Sequence, residues 1–348
     1  ELSCKLGAVA AIHELVGTTS TQAEATKRKF SAHLSDTLST STDFHLLEQV
    51  AKALGYMAST TISSSSSYVE TEIAQALKWL KAEEWHRRLA ACLVTWEMAA
   101  NAPAQVSIRM SDFVHGIVPI VHDSRLQVRE TAAKALTICL DMIWKRPARF
   151  ILDWLMEVFK QLSIGLEKGT EAPAHGSILM VAALLDHGGT YMKPRFIETC
   201  QKVMALKDHS SPLVRESVIA LLPQLARYEH ITFGSRYLDD TLKYLSDCCG
   251  GRTVHSSTAF KALGKLTLAM GPDYLSAMVP NLLQLVLAGL TPVKPQGHGP
   301  WKTREIKATW CPAAMECLAN ITKALGDKVS PRIKSLLEPL FSNGLSEQ

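Results

Sequence analysis

A spacing of about 42 residues between similar helical segments constrains the fold of this chain more than any other feature of its sequence. The segments Arg129–Leu136 and Arg215–Leu222 both begin with Arg-Glu, end in Leu and follow a Val. With that final Leu as an anchor, the same slot holds Ile12, Leu54, Val94, Leu136, Leu179, Leu222, Leu263 and Leu318. The intervals between them are 42, 40, 42, 43, 43, 41 and 55 residues, so six of the seven fall between 40 and 43.

This period predicts an all-α fold of the HEAT type, an α-solenoid in which helical hairpins of roughly 40–47 residues stack side by side. One hairpin cannot bury both of its apolar faces, so each hairpin packs on its neighbours and the core runs along the stack. We expect about eight repeats in one continuous domain, residues 1–348. Leu2–Val16 is interpreted as a second helix and Ile333–Phe341 as a first helix, which predicts a superhelix that is incomplete at both ends.

Prolines in register support the assignment of the first helices. Three segments align without a gap and carry Pro at their seventh position. They are Phe113–Val121 with Pro119, Tyr274–Leu282 with Pro280, and Ile333–Phe341 with Pro339. Because an interior Pro costs about 3 kcal/mol in a straight helix, the pattern predicts bent first helices. Loops are expected near residues 59–67, which are rich in Ser, and 291–303, where the period lengthens and Pro and Gly cluster.

Composition and charge exclude several other classes of protein. An apolar content of 47% in 348 residues excludes a disordered tail, and a net charge of +4 is too small to indicate a polyanion-binding protein. The eight cysteines are scattered through apolar helical sequence without any C-x-x-C, which favours reduced thiols in a cytoplasmic protein. The longest nearly apolar run, Ala277–Leu290, is too short for a bilayer and contains Pro280, so no transmembrane segment is expected.

Residues with catalytic, metal-binding or nucleic-acid-binding patterns are scarce. His115 and His122 lie seven residues apart without a third ligand, and Gly165–Thr170 lacks the ending of a phosphate loop. No nucleophile, kinase or dinucleotide motif occurs, so we expect no catalytic, cofactor or metal residue in this chain. One repeat position holds Lys52, Arg88, Lys134, Ala220, Lys261 and Glu316, which is not a basic stripe, and no nucleic acid is expected as a partner.

Two Asp/Arg pairs recur near the turns inside the hairpins. Asp123 precedes Arg129 by six residues, and Asp208 precedes Arg215 by seven. HEAT families use such a pair to hydrogen-bond the turns of adjacent repeats. We therefore interpret these four residues as structural elements that stack the repeats.

Several segments, taken in order, resemble the amino-terminal HEAT solenoid of the target-of-rapamycin (TOR) family of serine/threonine kinases, in a fungal form. The resemblance covers nearly the whole chain and is weakest from about Pro103 to Gly189. The segments are Lys5–Ile12, Tyr68–Glu70 with Ala76–Leu80, Tyr237–Thr241, Thr258–Gly264, and Leu336–Leu340 with Gly344–Ser346.

The resemblance implies a function that the residues alone do not give. It implies a scaffold in a very large kinase that controls growth in response to nutrients, with a raptor-like subunit of the rapamycin-sensitive complex and a second TOR copy as partners. ATP and Mg would belong to the kinase domain of the parent, whose motifs are not present here. The expected location is cytoplasmic, with the parent complex peripheral on vacuolar or lysosomal membranes. The alternative is a HEAT scaffold of another class, a nuclear-transport receptor or a phosphatase scaffold subunit.

Overall fold

The computed structural model describes residues 2–18, 24–60, 67–145, 151–250, 255–290 and 311–332, and positions 334, 336, 337 and 341. Helices, short 3-10 turns and connecting loops make up these residues, and no β-strand occurs in these ranges. The fold is therefore all-α, as the sequence predicted. The expected loop 291–303, most of the loop near 59–67, and Pro339 lie outside the described residues.

The chain divides into two compact units, Glu1–Lys202 (unit 1) and Val203–Gln348 (unit 2). Apart from one short helix, Pro103–Ile108, the helices of unit 1 alternate between first and second members of hairpins. They are α1 Leu2–Thr18, α2 Glu24–Thr40, α3 Phe44–Ser59, α4 Ser67–Trp79, α5 Trp85–Asn101, α6 Pro103–Ile108, α7 Met110–Ile120, α8 Leu126–Trp144, α9 Ile151–Glu167 and α10 Glu171–His187. After them come a 3-10 segment, Gly189–Arg195, and α11 Phe196–Ala205, which begins in unit 1 and ends in unit 2.

Unit 2 repeats the same alternation. Its helices are α12 Pro212–Tyr228, α13 His230–Arg236, α14 Leu238–Gly250, α15 Ser256–Leu275, α16 Val279–Leu290 and α17 Pro312–Val329. Pro212 and Pro312 each begin a helix, where the missing N–H has no intrahelical partner to lose.

The second helices form the continuous part of each core. In unit 1, α1, α3, α5, α8 and α10 pack each on the next, and in unit 2 α12 packs on α15 and α15 on α17. All eight anchors lie in these helices, and six of them are buried. Small side chains such as Ala132 and Ala259 are fully buried between them, which allows the close approach that stacking requires.

The structure corrects the interpretation of one proline. Pro119 lies inside α7, one residue before its end, as the pattern of first helices predicted. Pro280, however, is the second residue of α16, and the predicted helix Tyr274–Leu282 is interrupted by the 3-10 turn Ser276–Met278. At that position Pro costs no hydrogen bond, so it starts a helix and does not bend one.

One stretch, Ser256–Leu290, is long and apolar enough to cross a membrane by length and composition alone. It is not one straight helix, because Gly271 adopts a positive φ of 69°, a backbone conformation that residues other than Gly rarely adopt. Its apolar residues Leu263, Leu266 and Leu283 are buried within unit 2, where α15 and α16 both pack on α17.

Candidate functional site

Three arginines at the start of second helices hold the turn inside their own hairpin in the same way. Each uses Nη1 to donate to the backbone carbonyls six and five residues earlier. Arg88 reaches Ala82 and Glu83 at 3.0 and 2.6 Å, Arg129 reaches Asp123 and Ser124 at 2.9 and 3.1 Å, and Arg215 reaches His209 and Ser210 at 2.6 and 3.0 Å. A guanidinium has five donors, so each arginine closes its turn and keeps donors for a second partner.

Arg88 uses its other N–H groups to bond to the next repeat of unit 1. Its Nε and Nη2 donate to Oδ2 of Asp123 at 2.8 and 2.5 Å, while Oδ1 of Asp123 accepts from the backbone N–H of Arg125 at 2.9 Å. The Asp123 side chain is only 5% exposed, so its charge is compensated almost entirely by these donors.

Arg129 continues the chain of contacts into the following repeat. Arg129 is only 1% exposed. Its Nε donates to Nδ1 of His175 at 3.3 Å, and its Nη2 lies 3.5 Å from Oε1 of Glu171. His175 and Glu171 both belong to α10. Burial and the positive charge of Arg129 lower the pKa of His175 to about 4, against an opposing effect of Glu171. His175 is therefore neutral at pH 7 and acts as a hydrogen-bond acceptor.

The contact between the α7–α8 turn and α10 is also sterically tight. Nε2 of His122 lies 3.0 Å from Oγ of Ser177, and a side chain at Gly176 would overlap the backbone carbonyl of Val121. Burial and the nearby Lys168 lower the pKa of His122. Gly176 is thus required by the close approach of two repeats.

In unit 2 the place of Asp123 is taken by His209. Its Nδ1 accepts from the backbone N–H of Ser211 at 3.0 Å, the same two-residue step that joins Asp123 to Arg125. The Asp208 side chain is 80% exposed and lies 3.8 Å from Nζ of Lys207. The second helices of this unit are joined instead by Oγ1 of Thr258, which donates to Oε1 of Glu216 at 2.6 Å.

The four residues interpreted as stacking elements thus lie in different environments. Asp123 and Arg129 join three consecutive repeats of unit 1, whereas Arg215 closes its own turn and Asp208 faces solvent. The sequence alignment did not group Arg88 with Arg129 and Arg215. Arg88 lies six residues before its anchor Val94, whereas Arg129 and Arg215 lie seven residues before theirs. The arginines themselves are spaced by 41 and 86 residues, close to one and two periods, and this spacing was the available signal.

The described residues contain no cluster of three or more His, Cys, Asp or Glu able to hold a metal ion. His115 and His122 have separate environments, since Nδ1 of His115 lies 2.7 Å from the carbonyl of Ser111 and His122 contacts Ser177. None of the eight cysteines, all within the described ranges, forms a disulfide. Burial raises the pKa of Cys139, Cys200 and Cys317 to about 12, which makes these thiols poor nucleophiles.

The fold class is that of a HEAT-type α-solenoid. The structure is similar to the karyopherin Kap121p in its complex with the extreme C-terminus of the protein phosphatase Cdc14p, with a TM-score of 0.61 over 96% of this chain and 34% of that chain. The sequence identity in that comparison is 14%, so the likeness concerns the fold alone. No family model matches the chain.

The chain is a TOR-like segment. It is homologous to the serine/threonine-protein kinase tor1 of Schizosaccharomyces pombe, with 29% identity over 346 residues, and to the serine/threonine-protein kinase TOR of Arabidopsis thaliana, with 30% identity over 345 residues. Each alignment covers 98% of this chain but only 14% and 13% of these relatives. Fungal and plant relatives are equally similar, so the fungal form stays a prediction.

Proposed function

We propose that this chain is a protein-interaction scaffold of a TOR-type serine/threonine kinase that controls growth in response to nutrients. The observation that carries the proposal is the alignment of 98% of the chain with TOR-type kinases. The polar groups described above are consistent with it, because Arg88, Asp123 and Arg129 join neighbouring repeats. The chain contributes binding, and ATP and Mg belong to the kinase domain of the parent.

The mechanism is geometric. Stacked hairpins present an extended surface to a raptor-like subunit and to a second TOR copy, and they hold the distant kinase domain in a fixed position relative to both. The complex acts in the cytoplasm, where it also associates with vacuolar or lysosomal membranes.

Exposed apolar side chains on α9 supply the surface through which unit 1 meets the raptor-like subunit. Leu152 and Met156, four residues apart on one face of the helix, are 63% and 49% exposed. Large exposed apolar residues that share a face are typical of protein interfaces.

The test is retention of a purified raptor-like subunit by the immobilised chain. We expect the wild-type chain to retain it, the double variant Leu152→Ser/Met156→Ser to lose most of the retention, and Leu268→Ser to retain it fully. Leu268 is a suitable control because it is 41% exposed but lies on α15 in unit 2. Absence of retention by a folded wild-type chain, where the full parent binds, refutes the assignment of this partner to the segment.

A HEAT scaffold of another class is the alternative, a nuclear-transport receptor or a phosphatase scaffold subunit. The likeness to Kap121p carries no argument for it beyond the fold, because only 14% of the residues are identical. The sequence that adjoins this segment in the parent distinguishes the two, since a kinase domain downstream excludes the alternative.

A further inference from the structure

A basic pocket in unit 1 lies beside the turn that Arg88 closes. It lies where α2 and α4 end and α5 begins, and it is an open surface pocket of about 460 Å³. It is lined by Ser39, Gln75, Lys78, Trp79, Lys81, Ala82, Glu84 and Arg87. We define these eight residues as the α4–α5 pocket.

The charge of the pocket is strongly unbalanced. Lys78, Lys81 and Arg87 give three positive charges, and Glu84 is the single carboxylate in the lining. Lys78 and Lys81 are exposed, and neither ammonium group has a hydrogen-bond or ion-pair partner among the described residues. Other lysines of the same unit do pair, such as Lys52 with Glu48 and Lys145 with Asp141.

Arg87 supplies a second, independent observation. Its Nη1 lies 3.4 Å from Oε1 of Glu84, but its Nε is buried and has no hydrogen-bond partner within the described ranges. Leaving a buried donor unsatisfied costs about 1–3 kcal/mol. An anion in the pocket would give the guanidinium of Arg87, whose side chain is 40% exposed, a second counter-charge beside Glu84.

The start of α5 adds to the positive potential. Glu84 occupies the N-cap position but makes no side-chain hydrogen bond to the helix, so the first N–H groups of α5 have no side-chain cap. The N-terminus of a helix carries a partial positive charge that favours anions.

From this arrangement we infer that the α4–α5 pocket binds a phosphate group carried by a phosphorylated segment of a partner protein. A phosphate monoester carries close to two negative charges on three acceptor oxygens, which matches two lysines and an arginine better than the single charge of a carboxylate does. The equivalent positions of the repeats do not form a continuous basic stripe, which favours a protein ligand over a nucleic acid. The choice of a protein ligand rests on the proposed scaffold function.

The test uses a short peptide that contains one phosphoserine, titrated into the chain while the tryptophan indole signals are followed by NMR. Trp79 lines the pocket, and its signal is assigned with the variant Trp79→Phe. We expect a saturable shift of the Trp79 signal with the phosphopeptide and none with the unphosphorylated peptide. Higher salt weakens the binding, because the lysines are exposed.

The double variant Lys78→Ala/Lys81→Ala removes two of the cations. We expect it to weaken phosphopeptide binding by at least about tenfold. The matched control is Lys261→Ala/Lys265→Ala, which removes two exposed lysines from α15 in unit 2 and is expected to change the affinity less than about twofold. Arg87→Gln, which removes the unsatisfied Nε donor, is expected to weaken binding as well.

Three results would overturn the inference. They are no saturable shift with a folded chain, equal affinity of Lys78→Ala/Lys81→Ala and wild type, and binding of inorganic phosphate without binding of the phosphopeptide. Retention of the raptor-like subunit is measured on the same samples. Failure of phosphopeptide binding with retention intact removes this inference only, whereas loss of retention by the wild-type chain removes the proposed function.

Discussion

Asp123, in the turn between α7 and α8, accepts hydrogen bonds from both Nε and Nη2 of Arg88, which lies one repeat earlier at the start of α5. The same Arg88 closes its own turn through Nη1. The Arg88 side chain therefore fixes the turn of its own hairpin and also holds that hairpin against the next one. The stability of a solenoid depends on such contacts between neighbouring repeats, so we expect this pair to contribute to the free energy of unfolding of unit 1.

Asp123→Ala is expected to destabilise unit 1 by about 2 kcal/mol, because it leaves the partly buried guanidinium of Arg88 without its carboxylate. The measurement is urea unfolding followed by tryptophan fluorescence, since five of the seven tryptophans lie in unit 1. Asp112→Ala is the control, because Asp112 and Arg109 form an exposed ion pair at 2.7 Å. Such a pair contributes at most about 1 kcal/mol, so equal losses in the two variants would contradict the role given to Asp123.

Arg129→Lys is expected to cost about 3 kcal/mol, although it keeps the charge. Lysine cannot reach the two turn carbonyls and His175 together, and its ammonium group would remain buried. Arg215→Lys is expected to cost less, since Arg215 is only half-buried. The comparison is made by thermal unfolding, and a larger loss for Arg215→Lys would show that burial does not set the cost.

The depressed pKa of His175 predicts a specific dependence of stability on pH. Between about pH 4 and about 6.5 the unfolded chain binds a proton at this residue that the folded chain does not. The free energy of unfolding therefore falls as the pH falls through this window, by at most about 1.4 kcal/mol per pH unit from this group.

His175→Gln tests this dependence because it removes the titrating group and keeps an acceptor for Arg129. The variant is expected to show a shallower loss of stability between pH 6.5 and pH 4 than wild type. The unfolding free energy of both proteins is measured across the window, and parallel curves would show that His175 is not responsible.

Gly176→Ala is expected to destabilise unit 1, because the added methyl group would overlap the carbonyl of Val121 and force α10 away from the α7–α8 turn. Gly7→Ala is the matched control: Gly7 lies inside α1 and has open space around it. Alanine there is expected to stabilise the helix by about 0.5–1 kcal/mol. A neutral effect at Gly176 would contradict the close approach of the two repeats.

The sequence was sufficient to predict the second helices, because the apolar pattern that defines each of them lies within the helix itself. Core-facing apolar residues recur about every turn along a helix and at the same position in successive repeats. Leu54, Leu136 and Leu222 could therefore be aligned, and all three are fully buried. Pro280 could not be placed, because the same residue fits both a bent helix and the first turn of a new one.

The hydrogen bonds between repeats were only partly predictable. Asp123 and Arg129 were predicted to stack adjacent repeats, and in the structure the carboxylate of Asp123 bonds to Arg88, which no local pattern singles out. His209, and not its neighbour Asp208, takes the position of Asp123 in unit 2, because His209 lies six residues before Arg215 just as Asp123 lies six residues before Arg129. The α4–α5 pocket was not predicted, since Lys78, Lys81 and Arg87 lie on one helix, a turn and another helix.

Displacement of the raptor-like subunit from the full-length TOR-type kinase tests the central claim most directly. The folded 348-residue chain is added in increasing excess to the assembled complex, and the raptor-like subunit that remains on the kinase is measured. The scaffold account predicts dose-dependent displacement by the wild-type chain and little displacement by Leu152→Ser/Met156→Ser. Full retention of the raptor-like subunit at saturating concentrations of the folded wild-type chain would contradict it.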